Sequence, residues 1–379
     1  MYSVNYHGRL DKIKNLVEKK GLDVLVVERP SDVFYITGYR GAGYVVATRD
    51  QVVLAVPVLE YRHALDYIAE SGLGDSLELA VFRPYGLPGS LVVEKEGVKL
   101  VDNGLKGLLH RLAGKEAPTC GMVTASYRFY MQLRENCEKV IDTADAIDKM
   151  RLVKEPWEIE RIQRAAEIGE QALQEALSSL DYGVSEAEIA GVIEAAIRRA
   201  GGDGPSFPPI VAFGANTVYP HAMPSRSRVL TRPAPVLIDL GAVYAGYCSD
   251  MTRTTFFDGS PAEFRHIAEA VHEAMNSAIE RAAPGVTTGE LDATARSVLK
   301  KYGLAEYFIH SLGHGVGIDI HEPPRVTYSD KTVLEPGMVI TVEPGVYIPG
   351  KLGMRIEELI VITHRGARRL TRFDTWLWR

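Results

Sequence analysis

The sequence is poor in cysteine. Cys120, Cys137 and Cys248 are the only three in 379 residues, and their spacing is not of the kind that holds zinc. A thiolate metal cluster is excluded, a disulfide framework is not expected, and a cytoplasmic address is the default. No window approaches the ~20 uninterrupted apolar residues that a membrane-spanning helix needs. The opening segment, Met1-Tyr2-Ser3-Val4-Asn5-Tyr6-His7, is polar and has no apolar secretory stretch. Net positive charge is also lacking: the balance is −6, so no basic field points to nucleic acid or to an anionic membrane as partner. Residues 1–150 contain no glycine-rich phosphate loop and no paired catalytic groups. What is present is an ordinary globular balance, 46% apolar and 24% charged, in a chain long enough for two domains.

Residues 1–150 alternate between helical and strand patterns. Leu10, Ile13, Leu16 and Val17 recur at helical spacing, Gly21 ends the run, and Asp23-Val24-Leu25-Val26-Val27 reads as a buried strand. Residues 43–48 and 51–56 predict a hairpin around Arg49-Asp50. A helix is expected near 60–67, a strand at 98–101 and a helix at 105–112. This is an α/β layer domain. The character changes near 148–154. Pro156 suits the first turn of a helix, and Glu158 and Glu160 favour its positive end. The expected domains are therefore 1–150 and 151–379.

The second domain carries a weak internal repeat. Ser185 with Glu188, and Thr287 with Glu290, each form the pattern of a capping box. Gly201 and Gly303 are placed to close the two helices. A long helix is expected before each box, at 156–180 and 260–281, and an apolar strand pair after each, at 236–256 and 339–362. Helix, helix, hairpin thus occurs twice, which predicts a duplicated α+β domain whose sheet halves meet in the middle.

Acidic residues sit inside the apolar hairpins. In the first, residues 243–246 would form the turn and set Asp239 opposite Asp250. Like charges facing each other are destabilising, and burial multiplies the cost, so a cation is expected between them. A hairpin of solvated acids would give the same letters. The second half, however, repeats the arrangement with Glu343 and Glu357 at a near-constant offset, which scattered surface acids would not do. Glu358 falls on the opposite face by strand alternation and reads as solvated. His314 is flanked by Gly313 and Gly315, which would allow close backbone approach to a ligand. His7, His63, His110, His266, His272 and His364 have no such context. Cys248 shares a strand face with Asp250 and reads as small and buried. Four carboxylates and an imidazole suit a divalent site built on oxygen, open to Mn, Co, Fe or Zn. Two ions balance four carboxylates and leave charge to stabilise a bridging hydroxide.

The motifs Ile238-Asp239-Leu240-Gly241, Ser249-Asp250-Met251-Thr252-Arg253-Thr254, Gly313-His314-Gly315-Val316-Gly317, His321-Glu322-Pro323-Pro324, Thr341-Val342-Glu343-Pro344-Gly345-Val346-Tyr347 and Gly353-Met354-Arg355-Ile356-Glu357-Glu358 together resemble the pita-bread metallopeptidases, the group of prolidase, aminopeptidase P and methionine aminopeptidase. Ser31-Asp32-Val33-Phe34-Tyr35-Ile36-Thr37-Gly38-Tyr39 is similar to the creatinase-type N-terminal domain of the prolidases. The resemblance implies a creatinase-like α/β domain followed by a pita-bread catalytic domain, with two divalent ions per subunit. Asp239 and Asp250 would hold one ion, and Asp250, His314, Glu343 and Glu357 the other, with Asp250 and Glu357 bridging. It places His221, His310 and His321 on the substrate side, Arg355 at the substrate or in support of the site, and Glu343 as a proton shuttle. It further implies a homodimer acting on a small peptide, cleaving the bond before proline in Xaa-Pro dipeptides. The alternatives are an Xaa-Pro aminopeptidase on longer peptides, a hydrolase of non-peptide amides, or a metal-free binding protein on the same fold.

Overall fold

The computed structural model of the chain describes residues 5–83, 99–101, 104–124 and 126–375. Two compact units divide it, one ending at Met150 and the other beginning at Arg151. Among the described residues, no helix is long and apolar enough to cross a membrane.

The N-terminal unit is built on a seven-stranded sheet. Its spatial order is Lys99–Val101, Leu77–Phe82, Val52–Pro57, Tyr44–Ala47, Val24–Val27, Thr119–Val123 and Lys139–Asp142. Tyr44–Ala47 runs antiparallel to both neighbours, and the other pairings are parallel. Strands such as Val24–Val27 are buried at every position, which is why they read as apolar runs without alternation. Helix Tyr6–Lys19 buries Leu10, Ile13, Leu16 and Val17, the stripe expected from spacing. The expected hairpin, the helix after it (Tyr61–Ser71) and helix Gly104–Ala113 are all present. Val98 lies outside the described residues, and the strand expected there is described from Lys99 onward. One expectation fails: Cys120 and Cys137 form a disulfide. Helix Tyr127–Asn136 returns the chain beside strand Thr119–Val123 and brings the two Cα atoms to 6.1 Å, a separation that a bridge spans. Local sequence spacing carries no trace of that return. The pairing also removes the cysteine-based ground for a cytoplasmic address.

The second unit repeats helix, helix and hairpin as expected. Helices Pro156–Ser178 and Glu186–Arg199 pack together in the first half, and Ala262–Arg281 and Thr288–Lys301 in the second. Both capping boxes form. Glu188 N–H donates to Ser185 Oγ and Glu290 N–H to Thr287 Oγ1, while each Glu carboxylate takes the Ser or Thr amide in return at 2.8 Å. Even the isolated bridges that follow the boxes recur, Ser185 with Val229 and Thr287 with Val333. The first half presents a three-stranded sheet in the order Met251–Phe257, Ala234–Leu240, Ile210–Phe213. The second presents five strands: Glu322–Val326, Gly313–Gly315, Val339–Val342, Glu358–Thr363 and Gly366–Arg369.

The register of the first hairpin differs from expectation. Tyr244 pairs with Tyr247, so the turn is Ala245-Gly246, both at positive φ. This suits the two-residue turn that matches strand twist. Asp239 therefore faces Thr252, not Asp250. The parity of the strand is kept, so Asp239 and Asp250 remain on one face as diagonal neighbours. Glu358 does point to the opposite face, but it is buried rather than solvated. Its carboxylate accepts from Arg253 Nη2 and Thr371 Oγ1, each at 2.6 Å, a satisfied buried ion pair that strand alternation alone cannot reveal. The capping boxes give a direct test of the repeat. Thr287→Ala is expected to lower the unfolding free energy by about 1 kcal/mol in chemical denaturation, and Thr287→Asp to restore most of that loss.

Candidate metal centre

The two halves are joined along their hairpins. Glu357 N–H donates to the Thr252 carbonyl at 3.1 Å, and Thr254 Oγ1 exchanges hydrogen bonds with the Arg355 backbone at 2.8 and 3.2 Å. This seam brings together the acids that the sequence singled out. Asp239 is the penultimate residue of the strand Ala234–Leu240, and Asp250 immediately precedes Met251–Phe257. Glu343 follows Val339–Val342 and Glu357 precedes Glu358–Thr363, at the point where the Val342–Glu358 register would set them opposite each other. Asp239, Asp250 and Glu357 are buried and Glu343 is half-buried.

His314 joins them from strand Gly313–Gly315. Its Nε2 lies 3.6 Å from Asp250 Oδ2 and 3.5 Å from Glu343 Oε1. Donor atoms of Asp250, His314 and Glu357 all fall within 4.8 Å of one another. His314 Nδ1 donates to the Gly315 carbonyl at 3.1 Å, which commits the proton to that nitrogen and leaves the Nε2 lone pair facing the acids. Burial, together with the neighbouring His321 ring, pushes its pKa down to about 4, so the ring is a neutral donor near pH 7. The flanking glycines serve a different end from the one expected. A side chain at Gly313 would come within 2.2 Å of the Thr341 carbonyl, and one at Gly315 within 2.2 Å of the Pro323 carbonyl. The space they leave is filled by adjacent backbone, not by a ligand.

The electrostatics of the four acids are unfavourable for protein alone. Burial raises the carboxyl pKa of Asp250 and Glu357 well above the ordinary value, and the neighbouring carboxylates add to the rise. Burial raises Asp239 and Glu343 as well, the latter to about 8, with the Arg355 guanidinium opposing both. Three carboxylate oxygens here, Asp239 Oδ1, Asp250 Oδ1 and Glu357 Oε1, are buried without a hydrogen-bond partner. The opposite oxygens are held: Arg355 Nη2 donates to Asp239 Oδ2 at 2.5 Å, and Thr252 Oγ1 donates to Glu357 Oε2 at 2.7 Å. Each of these two carboxylates thus has one oxygen fixed by the protein and one left over. That donor set fits hard divalent cations. Cys248 adds nothing to it. Burial pushes its thiol pKa far up, and the thiol donates to the Ile318 carbonyl at 3.3 Å.

The remaining sequence-selected residues lie on three segments. Arg355 is buried with most of its donor fork engaged: Nε to Thr252 Oγ1, Nη1 to Tyr347 Oη and the Pro220 carbonyl, Nη2 to Asp239. Its own charge is secured, because Tyr347, Asp239 and nearby acids outweigh the cost of burial. Of its two expected roles, this geometry provides for support of the site. His310 Nδ1 donates to the Ser311 carbonyl at 2.7 Å, and its Nε2 lies 3.1 Å from Tyr347 Oη. Burial and the Arg355 charge push His310 down to about 4. His321 is exposed and meets the His314 ring edge to face, centroids 4.4 Å apart. Next to it, buried Glu322 takes Lys154 Nζ at 2.7 Å and Arg151 Nη2 at 2.6 Å, which pins the segment. His221 is also exposed, one residue beyond the carbonyl held by Arg355. Sequence reasoning did not assign Thr252 or Tyr347. Thr252 lies two residues from Asp250 on the same strand face, and Tyr347 lies within the Glu343 motif, so spacing offered a signal for each.

Comparisons with known proteins give the family. The family model of metallopeptidase family M24 matches residues 160–364, and that of the creatinase/prolidase N-terminal domain matches residues 9–153. The chain is 38% identical to the Xaa-Pro dipeptidase of Pyrococcus furiosus, over 97% of its own length and 98% of that protein's. Its identity to the Xaa-Pro dipeptidase of Pyrococcus horikoshii is 37%, over 96% and 97%. Among solved structures, the prolidase from Pyrococcus horikoshii superposes with a TM-score of 0.84 at 34% identity, covering 98% of this chain and 99% of that one. The X-Pro aminopeptidase from Thermotoga maritima superposes at 0.82 and 28% identity, covering 97% and 98%. By family model and by near-full-length likeness, the chain belongs to metallopeptidase family M24, with a creatinase/prolidase N-terminal domain, and is a metal-dependent peptidase.

Proposed function

We propose that this protein hydrolyses the peptide bond of Xaa-Pro dipeptides, with two divalent cations held by Asp239, Asp250, His314, Glu343 and Glu357. The observation that carries this reading is the convergence of four acids and a neutral imidazole, with three buried carboxylate oxygens left unpartnered. The dipeptide preference is supported by the relatives that share nearly the full chain length. Divalent ions bound there would make water a nucleophile near neutral pH and polarise the scissile carbonyl.

The chain's own groups supply the rest. The nitrogen of an Xaa-Pro bond carries no hydrogen, so it must gain a proton as it leaves as an amine. Glu343 is assigned to that task. Its carboxyl is half-buried beside His314, and it would take the proton from the attacking water and pass it to the proline nitrogen. His221 and His321, both exposed, are assigned to the substrate carbonyl and its developing negative charge. His310 belongs to the same set through the Tyr347 hydroxyl that shares its Nε2. Arg355 orients Asp239 and Tyr347. The same proposal includes a homodimer, a cytoplasmic setting, and manganese among the candidate ions.

Three measurements test this. Metal-stripped protein, restored with Mn, Co, Fe or Zn in turn, is expected to cleave Xaa-Pro faster than Xaa-Pro-Xaa. The reverse order would make it an aminopeptidase. Asp250→Asn is expected to lose at least about a thousandfold in kcat together with bound metal, and full activity in that variant would remove the ligand assignment. The third is a pH dependence. The four acids have ordinary values of 3.8 to 4.5 and are all raised in the fold, Glu343 to about 8. Metal-free folded protein therefore binds more protons than the unfolded chain across that window, and its stability falls as pH rises through it. Cations displace those protons. The rise in Tm on adding metal is expected to grow between about pH 5 and about pH 8, read by calorimetry, and a shift independent of pH would contradict the assignment.

A further inference from the structure

Glu186 opens helix Glu186–Arg199 and is fully buried. A buried carboxylate is costly unless its oxygens are met. The helix does not need it as a cap, because Ser185 and Glu188 already form the capping box. The proposed chemistry does not use it either. Its carboxylate is spent on a distant segment. Oε1 accepts from the Phe213 amide and from Asn216 Nδ2, both at 2.8 Å, and Oε2 accepts from the Ser225 amide at 3.1 Å. All three donors are neutral, and they bracket the stretch that carries His221.

On this side the helix start adds two backbone bonds at the far end of the stretch: the Ala187 amide donates to the Ser225 carbonyl at 3.4 Å and the Glu186 amide to the Arg228 carbonyl at 3.1 Å. Tyr219 and Met223 are 59% and 79% exposed, so they contribute little packing. Ala222 is a small apolar anchor, grouped with Ala212 and Leu237. On the other side, the site hairpin reaches in twice: the Gly353 amide donates to Thr217 Oγ1 at 2.8 Å, and Arg355 Nη1 donates to the Pro220 carbonyl at 3.3 Å. His221 thus hangs between a buried acid of one helix and the guanidinium that also orients Asp239.

We propose that Glu186 is a positioning residue for His221, holding its segment at the distance from the Arg355 hairpin that the reaction requires. The inference rests on the assignment of His221 to the substrate side. This side chain is suited to the task because both of its oxygens accept. Glutamine at the same place would turn an N–H group toward one of the amide donors and release one end of the segment.

The test compares metal-loaded full-length Glu186→Gln, Asn216→Ala, His221→Ala and the double variants Glu186→Gln/His221→Ala and Asn216→Ala/His221→Ala on an Xaa-Pro dipeptide. Readouts are kcat, KM, bound metal and Tm. Glu186→Gln is expected to lower kcat about tenfold with bound metal unchanged. In the His221→Ala background the same change is expected to cost less than about twofold. Asn216→Ala, which deletes one of the three bonds, is expected to give a smaller fall that also vanishes without His221, and it carries the test if Glu186→Gln does not fold. Equal factors in both backgrounds, or a lower Tm with unchanged kcat, would overturn the positioning role while leaving His221 in place. An unchanged kcat in His221→Ala alone would overturn the assignment of His221 and this inference with it.

Discussion

The structure turns on the burial of four carboxylates at one seam. Each would be costly to desolvate singly, and their mutual repulsion adds to that cost. A fold that keeps Asp239, Asp250, Glu343 and Glu357 together must compensate in two ways. Arg355, placed between Asp239 and Tyr347, supplies one fixed positive charge, and Thr252 satisfies one oxygen of Glu357. Asp239 Oδ1, Asp250 Oδ1 and Glu357 Oε1 remain without a protein partner, and these are the oxygens proposed above to meet cations. Much of the surrounding architecture follows from this. The glycines beside His314 let neighbouring backbone close in, and buried Glu322 with Lys154 and Arg151 anchors the segment of His321.

The division of labour between oxygens is the chemical core of the arrangement. One oxygen of Asp239 and one of Glu357 are committed to protein donors, which fixes the orientation of each carboxylate. The free oxygens are thereby aimed without further adjustment. His314 follows the same rule with its two nitrogens, one committed to a carbonyl and one left free. Such fixed outer contacts distinguish a preorganised metal centre from a loose acidic cluster.

Much of this was legible in the residues. The repeated capping boxes fixed the start of two helices, and the tracking of Asp239 by Glu343 and of Asp250 by Glu357 separated the site from scattered surface acids. Register was harder to read. The Asp239 strand gives no signal of where its turn falls, and the pairing of Tyr244 with Tyr247 around Ala245 and Gly246 displaces the centre so that Thr252, not Asp250, stands opposite. Glu358 departs from expectation for a related reason. Alternation says which face a residue takes, while burial of that face depends on Arg253 and Thr371, which arrive from elsewhere in the chain. The Cys120–Cys137 pairing likewise depends on a helix folding back, a tertiary fact. Glu186 was invisible as more than a first-turn acid, because its partners lie far along the chain and are mostly backbone amides.

The contacts of Arg355 have a consequence for ancestry. This guanidinium belongs to the second half but completes Asp239 and holds the Pro220 carbonyl, both of the first. Neither half owns a finished centre. If the repeat descends from a single ancestral unit, that unit could have assembled an equivalent centre only by pairing with another copy of itself. Duplication and fusion would then have made permanent an encounter that was once between two molecules, after which the halves were free to diverge into one that carries the imidazole and one that does not.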